Sequence, residues 1–143
     1  MNDGVMIAFL PANAPWVRQD LPHMTLVFCG KMDDHSPADF NTLGKDALSV
    51  ARIMGSFSLQ ATDVGELGEG IDRVDVLNLY PTPQLLVARK LVKNWDASGF
   101  PEFKPHVTIG PVGSGVGNFP TTVFFEEIAV VWGDKILKFS LFG

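Results

Sequence analysis

Residues 22–26 read PHMTL, and residues 105–109 read PHVTI. The chain has only three histidines, and two of them occupy almost the same five-residue frame. Each of these two histidines follows a proline, which fixes its own backbone φ angle and lacks an N–H, as is typical of the start of a strand. Both stretches are therefore predicted to begin β-strands.

Each of these histidines shares a strand face with a threonine. Side chains two residues apart point to the same side of a strand, so His23 lies with Thr25, and His106 lies with Thr108. Each strand thus presents an imidazole and a hydroxyl on the face opposite its core side. The residues predicted to face the core are Met24, Leu26, Val107 and Ile109.

The same alternation extends the two polar faces beyond the threonines. It places Val27 and Cys29 on the first face and Gly110 on the second, where a missing side chain would leave room for a ligand. A β-bulge in either strand would break this register.

The rest of the chain predicts two helices and about seven strands. The first helix begins after Ser36, a good N-cap, and ends at Gly55, and the second runs between Thr82 and Gly99. A glycine-rich turn, GELGEG, is expected at 65–70. These elements predict one α+β domain, residues 1–143, with two similar lobes of about 1–64 and 65–143. The predicted strands are Val5–Leu10, His23–Cys29, Ser56–Val64, Arg73–Tyr80, 106–112, 121–133 and 135–142.

Composition narrows the classes of function. The formal net charge of −5 and the pI of about 5.0 argue against a broad basic surface that would bind a long nucleic acid. Cys29 is the only cysteine, so an internal disulfide is excluded and a reducing compartment fits. No apolar segment approaches the ~20 residues that a membrane helix needs. We expect a soluble, cytoplasmic protein without a membrane partner.

The two motifs resemble those of a known family. HMTL and HVTI, 83 residues apart (106 minus 23), are similar to the two H-x-T-x signatures of the 2H phosphoesterases. This group includes LigT-like RNA 2′,3′-cyclic phosphodiesterases, 2′-5′ oligoadenylate phosphodiesterases and phage enzymes that destroy cyclic nucleotide signals. The resemblance implies two pseudo-symmetric lobes, each of antiparallel sheet plus helix, with the motif strands facing each other across a central cleft.

The four motif residues suit phosphodiester cleavage. One histidine would act as the general base and the other as the general acid, because an imidazole with a pKa near ~6.5 can serve in either form near neutral pH. Thr25 and Thr108 would hold the phosphate, and facing imidazoles suit in-line displacement. No cofactor or metal ion is expected. The residues leave open whether His23 or His106 is the base.

Three further residues are candidates for substrate binding. Trp16 and Arg18 lie between the first two predicted strands, where they could stack on a nucleobase or meet a phosphate. Lys104 precedes the second motif and could add positive charge near the phosphate. Each could equally be an ordinary surface side chain.

Other features are interpreted as structural. Asp33, Asp34 and His35 form a solvated loop rather than a metal site, since adjacent loop residues rarely converge on one ion. Cys29 is interpreted as inert. The second glycine-rich stretch, GSGVG at 113–117, lacks the features of a phosphate loop and is a predicted mobile rim of the cleft.

The favoured function is a metal-independent phosphodiesterase that cleaves cyclic dinucleotide or trinucleotide signals. The short chain is similar to small phage-encoded enzymes of the anti-CBASS type, for which the location would be the host cytoplasm. An RNA 2′,3′-cyclic phosphodiesterase or a 2′-5′ oligonucleotide phosphodiesterase is the alternative within the enzyme class. A module that sequesters a nucleotide without cleaving it is the alternative from another class.

Overall fold

The described part of the chain forms seven strands and two helices in the order β1, β2, α1, β3, β4, α2, β5, β6, β7. The computed structural model describes residues 3–114 and 119–141. Within these ranges the predicted α+β class and the number of helices and strands are confirmed. The elements are β1 Gly4–Pro11, β2 Met24–Lys31, α1 Pro37–Met54, β3 Phe57–Leu67, β4 Val74–Leu79, α2 Pro83–Leu91, β5 His106–Pro111, β6 Thr122–Trp132 and β7 Lys135–Ser140.

Both helices begin at the predicted capping residues. The backbone N–H of Ser36 donates to the carboxylate of Asp39 at 3.3 Å, and the hydroxyl of Thr82 accepts from the backbone N–H of Leu85 at 3.2 Å. The first helix ends at Gly55, whose φ of 60° is accessible mainly to glycine. The side chains that α1 buries recur at helical spacing: Leu43, Ala47, Val50, Ala51 and Met54.

The strands form one antiparallel sheet in the order β1-β2-β5-β4-β3-β6-β7. An additional pairing of β1 with β6 brings the sheet back on itself. Phe125 of β6 lies between Pro11 of β1 and Phe57 of β3, so β6 joins the two parts of the sheet. This closed order brings β2 and β5, which are far apart in the sequence, to neighbouring positions.

The core lies between the helices and one face of the sheet. Phe9 and Phe125 of the sheet are fully buried in the same hydrophobic cluster as Leu43 of α1 and Leu85 of α2. Burial of these large side chains supplies the main driving force for folding. The motif strands therefore rest on a packed layer, which holds their other face in place.

Two predicted boundaries are wrong. The second helix ends at Leu91 rather than near Gly99, because the chain tightens into a 3₁₀ turn that lets the indole of Trp95 donate to Asp46 at 2.7 Å. The turn expected at 65–70 begins only after Leu67, because Gly65, Glu66 and Leu67 still pair with β4.

The proposed lobe boundary at residue 64 lies inside β3, and the division into lobes remains a prediction. Neither helix in the described part of the chain has the length and hydropathy of a membrane-spanning segment. The predicted rim at 113–117 extends beyond the described residues, which stop at Ser114 and resume at Phe119.

Candidate active site

The two H-x-T motifs lie side by side on antiparallel strands. Met24 of β2 pairs with Val107 of β5. Continued by one residue in each direction, this register sets His23 beside Thr108 and Thr25 beside His106. The two histidines are then diagonal neighbours, about 7–8 Å apart at the backbone.

A β-bulge follows each motif at the equivalent position. In β2, Leu26 is the extra residue opposite β1, and in β5, Ile109 is the extra residue opposite β4. The prediction that Val27 and Cys29 share the face of His23 is therefore wrong, since both are buried in the core. The bulges confine the polar face of each strand to its histidine and threonine.

The space next to Gly110 is occupied by protein atoms. The expectation that Gly110 leaves room for a ligand is therefore wrong. A Cβ at this position would lie 3.0 Å from the hydroxyl of Ser114 and 3.2 Å from the Cβ of Arg18. The backbone N–H of Arg18 also donates to the carbonyl of Ile109 at 2.6 Å. Gly110 thus lets the segment before β2 approach the second motif strand.

Both motif histidines are anchored in the same way. Nδ1 of His23 lies 2.7 Å from the carbonyl oxygen of Leu21, and Nδ1 of His106 lies 2.9 Å from that of Lys104. A carbonyl only accepts, so Nδ1 carries the proton and Nε2 of the neutral ring holds a lone pair. Neither Nε2 has a hydrogen-bond partner among residues 3–114 and 119–141. Each ring therefore has one fixed and one reactive nitrogen.

The surroundings of His23 favour its neutral form. Burial lowers the pKa of this imidazole, the hydrogen bond to Leu21 raises it, and the charge of His106 lowers it further, so the pKa lies below its usual value. A neutral imidazole can accept a proton, which suits His23 to the role of base.

The motif threonines have hydroxyls that remain available. The hydroxyl of Thr25 reaches only the sulfur of Met6, at 3.5 Å, which is a weak acceptor. The hydroxyl of Thr108 makes no hydrogen bond with another described side chain or backbone group. Both threonines can donate to a bound oxyanion without breaking a strong internal bond.

Solved structures share this arrangement of elements. Among them are E. coli LigT in complex with 3′-AMP, with 18% identity over 100% of both chains and a TM-score of 0.59. TT0787 of Thermus thermophilus matches with 16% identity, 98% of each chain and a TM-score of 0.64. Usb1 of Kluyveromyces marxianus matches with 8% identity, 98% of each chain and a TM-score of 0.67.

The chain has the fold of these solved structures, an α+β arrangement of the LigT type. The resemblance drawn from the two motifs is thereby confirmed at the level of the fold. No family model matches the sequence, and no curated protein matches it.

A cavity of about 500 Å³ opens beside His106. Lys104, one of the predicted binding residues, lines it. Asn78 lines it as well, and its place opposite His106 in the β4–β5 register puts the two side chains on one face. The sequence reasoning missed Asn78, although it interrupts the alternate apolar positions Val74 and Val76 of β4.

The other two predicted binding residues lie near β5 and on the core. Arg18 is exposed next to Gly110, and its guanidinium has no ion pair with any described carboxylate. The indole of Trp16 is half-buried, packs on the core and meets the ring of Phe119 edge-on at 6.4 Å. Roles for both in substrate binding remain predictions.

The expectation that His35 belongs to a solvated loop is wrong. Its side chain is only 9% exposed, with Nδ1 2.9 Å from the carboxylate of Asp39 and Nε2 2.6 Å from the carbonyl of Cys29. Its ring also packs between Trp95 and Trp132. Burial lowers the pKa of His35, but the hydrogen bonds to Cys29 and Asp39 outweigh this effect and raise the pKa.

Two further interpretations concern chemistry outside the motifs. Burial and the negative charge of Asp96 raise the pKa of the Cys29 thiol to about 12, so this buried residue is a poor nucleophile. Within residues 3–114 and 119–141, no three His, Cys, Asp or Glu side chains converge on a common point. Metal independence remains a prediction about the reaction.

Proposed function

We propose that this protein is a phosphodiesterase that cleaves small nucleotides by metal-independent general acid–base catalysis. The observation that carries the proposal is the junction of β2 and β5, where two anchored imidazoles lie on one face with two hydroxyls, of which that of Thr25 reaches only the weak acceptor sulfur of Met6. Two imidazoles supply both proton transfers that a phosphodiester displacement requires, and two hydroxyls supply donors for the non-bridging oxygens.

The lowered pKa of His23 supports a proposal for the roles of the two histidines. Nε2 of His23, held neutral by its lowered pKa, accepts the proton of the attacking oxygen as the new P–O bond forms. Nε2 of His106, in its protonated form, donates a proton to the leaving oxygen as the old P–O bond breaks. Thr25 and Thr108 donate hydrogen bonds to the phosphoryl oxygens, whose negative charge increases in the transition state.

The same site accommodates two nucleophiles. Where a ribose 2′-hydroxyl lies beside a 3′-5′ linkage, that hydroxyl attacks and a 2′,3′-cyclic phosphate forms. Where the substrate is already a 2′,3′-cyclic phosphate, water attacks and a phosphomonoester results. The proton passes to His23 and from His106 in both cases, so the reaction class is the same.

For the substrate, we propose cyclic dinucleotides or trinucleotides. The net charge of −5 disfavours a long nucleic acid, and a cavity of about 500 Å³ is of the size that takes a small ligand. The complex of E. coli LigT with 3′-AMP favours the alternative, a 2′,3′-cyclic or 2′-5′ phosphodiesterase acting at RNA ends. Trp16, Arg18 and Lys104 are proposed to contact the bound nucleotide.

The test is cleavage of a substrate panel in buffer containing EDTA. The panel contains cyclic dinucleotides and trinucleotides, 2′-5′ oligoadenylate and a 2′,3′-cyclic mononucleotide. His23→Ala and His106→Ala provide inactive variants, and Thr42→Val, an exposed helical position, provides a control for Thr25→Val and Thr108→Val.

Cleavage of cyclic oligonucleotides by wild type supports signal destruction, and cleavage confined to the other two substrates supports the RNA-end alternative. Loss of all cleavage in EDTA, with recovery on adding Mg²⁺ or Mn²⁺, would contradict metal independence. Tight nucleotide binding without cleavage of any substrate would favour the sequestering module instead.

A further inference from the structure

The cavity beside His106 has walls and polar groups that the cleavage reaction does not use. Phe100 is 74% exposed at its edge, so its aromatic ring is accessible from solvent. Leu67, at the end of β3, is also exposed and forms part of the wall. The remaining lining residues are Asn78, Pro101, Glu102, Lys104 and His106.

Five of the lining residues come from one segment, and the four other than Pro101 alternate along it. Phe100, Glu102, Lys104 and His106 line the cavity, whereas Phe103 packs against the core. Their order along the segment is aromatic ring, anion, cation and reactive imidazole. Lys104 is directly connected to the reactive end, because its carbonyl oxygen binds Nδ1 of His106.

The charges divide the cavity into two parts. Lys104 and His106 attract a phosphate, which places the phosphate at that end. Glu102 repels a phosphate, so the end formed by Glu102 and Phe100 suits an uncharged group attached to it. In a nucleotide that group is the base, which can stack on an exposed aromatic ring.

The orientation of Asn78 adds a second acceptor. Its Nδ2 donates to the Oδ1 of Asp63 at 3.1 Å, and an ionised carboxylate can only accept, so the amide cannot be turned around. The Oδ1 of Asn78 is thereby left as a hydrogen-bond acceptor, and Asn78 is one of the residues that line the cavity. The carboxylate of Glu102 and this oxygen together favour a base that presents N–H donors.

We infer that this cavity is a nucleobase subsite in which Phe100 stacks on the base and Glu102 selects guanine. Guanine offers adjacent N1–H and N2–H donors to a carboxylate, whereas adenine offers only its amino group beside an acceptor nitrogen. The inference rests on the proposed function, because it assigns the base of the same substrate whose phosphate lies between His23 and His106.

Direct binding tests this assignment independently of catalysis. The affinities of 3′-GMP, 3′-AMP and inorganic phosphate are measured by calorimetry for wild type, Phe100→Ala and Glu102→Gln. Phe124→Ala and Glu126→Gln are matched controls, since Phe124 is 61% exposed on β6 and neither residue lines the cavity.

Wild type is expected to bind 3′-GMP at least about tenfold more tightly than 3′-AMP. Phe100→Ala should weaken binding of both nucleotides about tenfold or more and leave phosphate binding unchanged. Glu102→Gln should weaken 3′-GMP binding and bring the two affinities close together. Both controls should bind all three ligands as wild type does.

Equal affinity of wild type for 3′-GMP and 3′-AMP would overturn the inference, as would unchanged nucleotide binding in Phe100→Ala. The result is separable from that of the cleavage panel. A wild-type protein that cleaves nucleotides but binds them independently of Phe100 contradicts only the subsite. A protein that shows the expected affinities but cleaves nothing contradicts only the catalytic proposal.

Discussion

The three histidines occupy two kinds of environment. At the junction of β2 and β5, His23 and His106 each use Nδ1 for a backbone carbonyl, and neither Nε2 has a partner among the residues that the structure describes. Before α1, His35 uses both ring nitrogens, one for Asp39 and one for the carbonyl of Cys29. The same side chain is thus prepared for proton transfer in one region and for structural support in the other.

The difference shows that the number of occupied ring nitrogens distinguishes these roles better than burial does. His23 and His35 are both partly buried, yet the pKa of His23 is lowered and that of His35 is raised. Burial favours the neutral ring in both cases, but only His35 has a carboxylate partner that stabilises the charged ring. Variants of each histidine should therefore separate activity from stability.

The largest expected effect is on activity at the motif histidines. His23→Ala or His106→Ala should each lower kcat/KM on the best substrate by about 10² to 10⁴-fold, because one proton transfer loses its catalyst. The melting temperature should change little, since the core faces of β2 and β5 are kept. Steady-state kinetics and thermal denaturation on the same samples check both parts. Near wild-type turnover in either variant would remove that histidine from the mechanism.

Removing a hydroxyl that donates a hydrogen bond to the phosphate should lower activity less than removing a motif histidine. Thr25→Val and Thr108→Val keep the shape and β-branching of the side chain but remove a hydroxyl, and each should lower kcat by about 10²-fold. Thr42→Val should retain wild-type kcat. A loss confined to KM would show that the hydroxyl binds the ground state and transition state equally well.

His35→Ala should show the opposite pattern. It removes two hydrogen bonds and a ring packed between two indoles, so the free energy of unfolding should fall by about 1–3 kcal/mol. The fraction that remains folded should retain kcat. Urea unfolding and active-site-normalised kinetics check this pair of results, with the exposed neighbour Asp33→Asn as the control. A large loss of kcat in folded His35→Ala would contradict the purely structural role of His35.

The contributions of His35 and His23 to stability should also depend on pH with opposite signs. The folded-state pKa of His35 is raised, so its contribution to stability is fully present below its unfolded value of ~6.5 and is lost as pH rises through the folded value. The pKa of His23 is lowered, so its contribution is present above ~6.5 and is lost as pH falls through the folded value.

Two measurements check these signs. The difference in unfolding free energy between wild type and His35→Ala should decrease as pH rises above ~6.5. In an NMR titration, the midpoint of His23 should lie below ~6.5 and move upward in His106→Ala, because the charge of His106 contributes to lowering it. A midpoint of His23 above ~6.5 would reassign the general base.

Much of the fold could be predicted from local signals. Ser36, Thr82 and Gly55 mark helix ends through caps that involve only a few neighbouring residues, and the structure places them there. The end of α2 was not predictable, because it depends on a hydrogen bond between Trp95 and Asp46, residues 49 positions apart. Contacts over such distances leave no periodic pattern in the sequence.

The candidate site likewise has some features that local sequence signals predict and others that depend on distant contacts. The faces of His23 and His106 follow from alternation over three residues, which strand geometry guarantees. The bulges at Leu26 and Ile109 depend on the registers with β1 and β4, so the faces of Val27 and Gly110 could not be extrapolated. The environment of His35 likewise arises from the carbonyl of Cys29 on another element.

The most direct test of the account is the kcat/KM of the double variant His23→Ala/His106→Ala beside the two single variants. If the two motifs form one acid–base site, each single loss already disables the concerted proton transfers, and the double variant should be about as slow as the slower single one. If the two effects instead multiply, the histidines act independently, and the proposed single site across the β2–β5 junction would be contradicted.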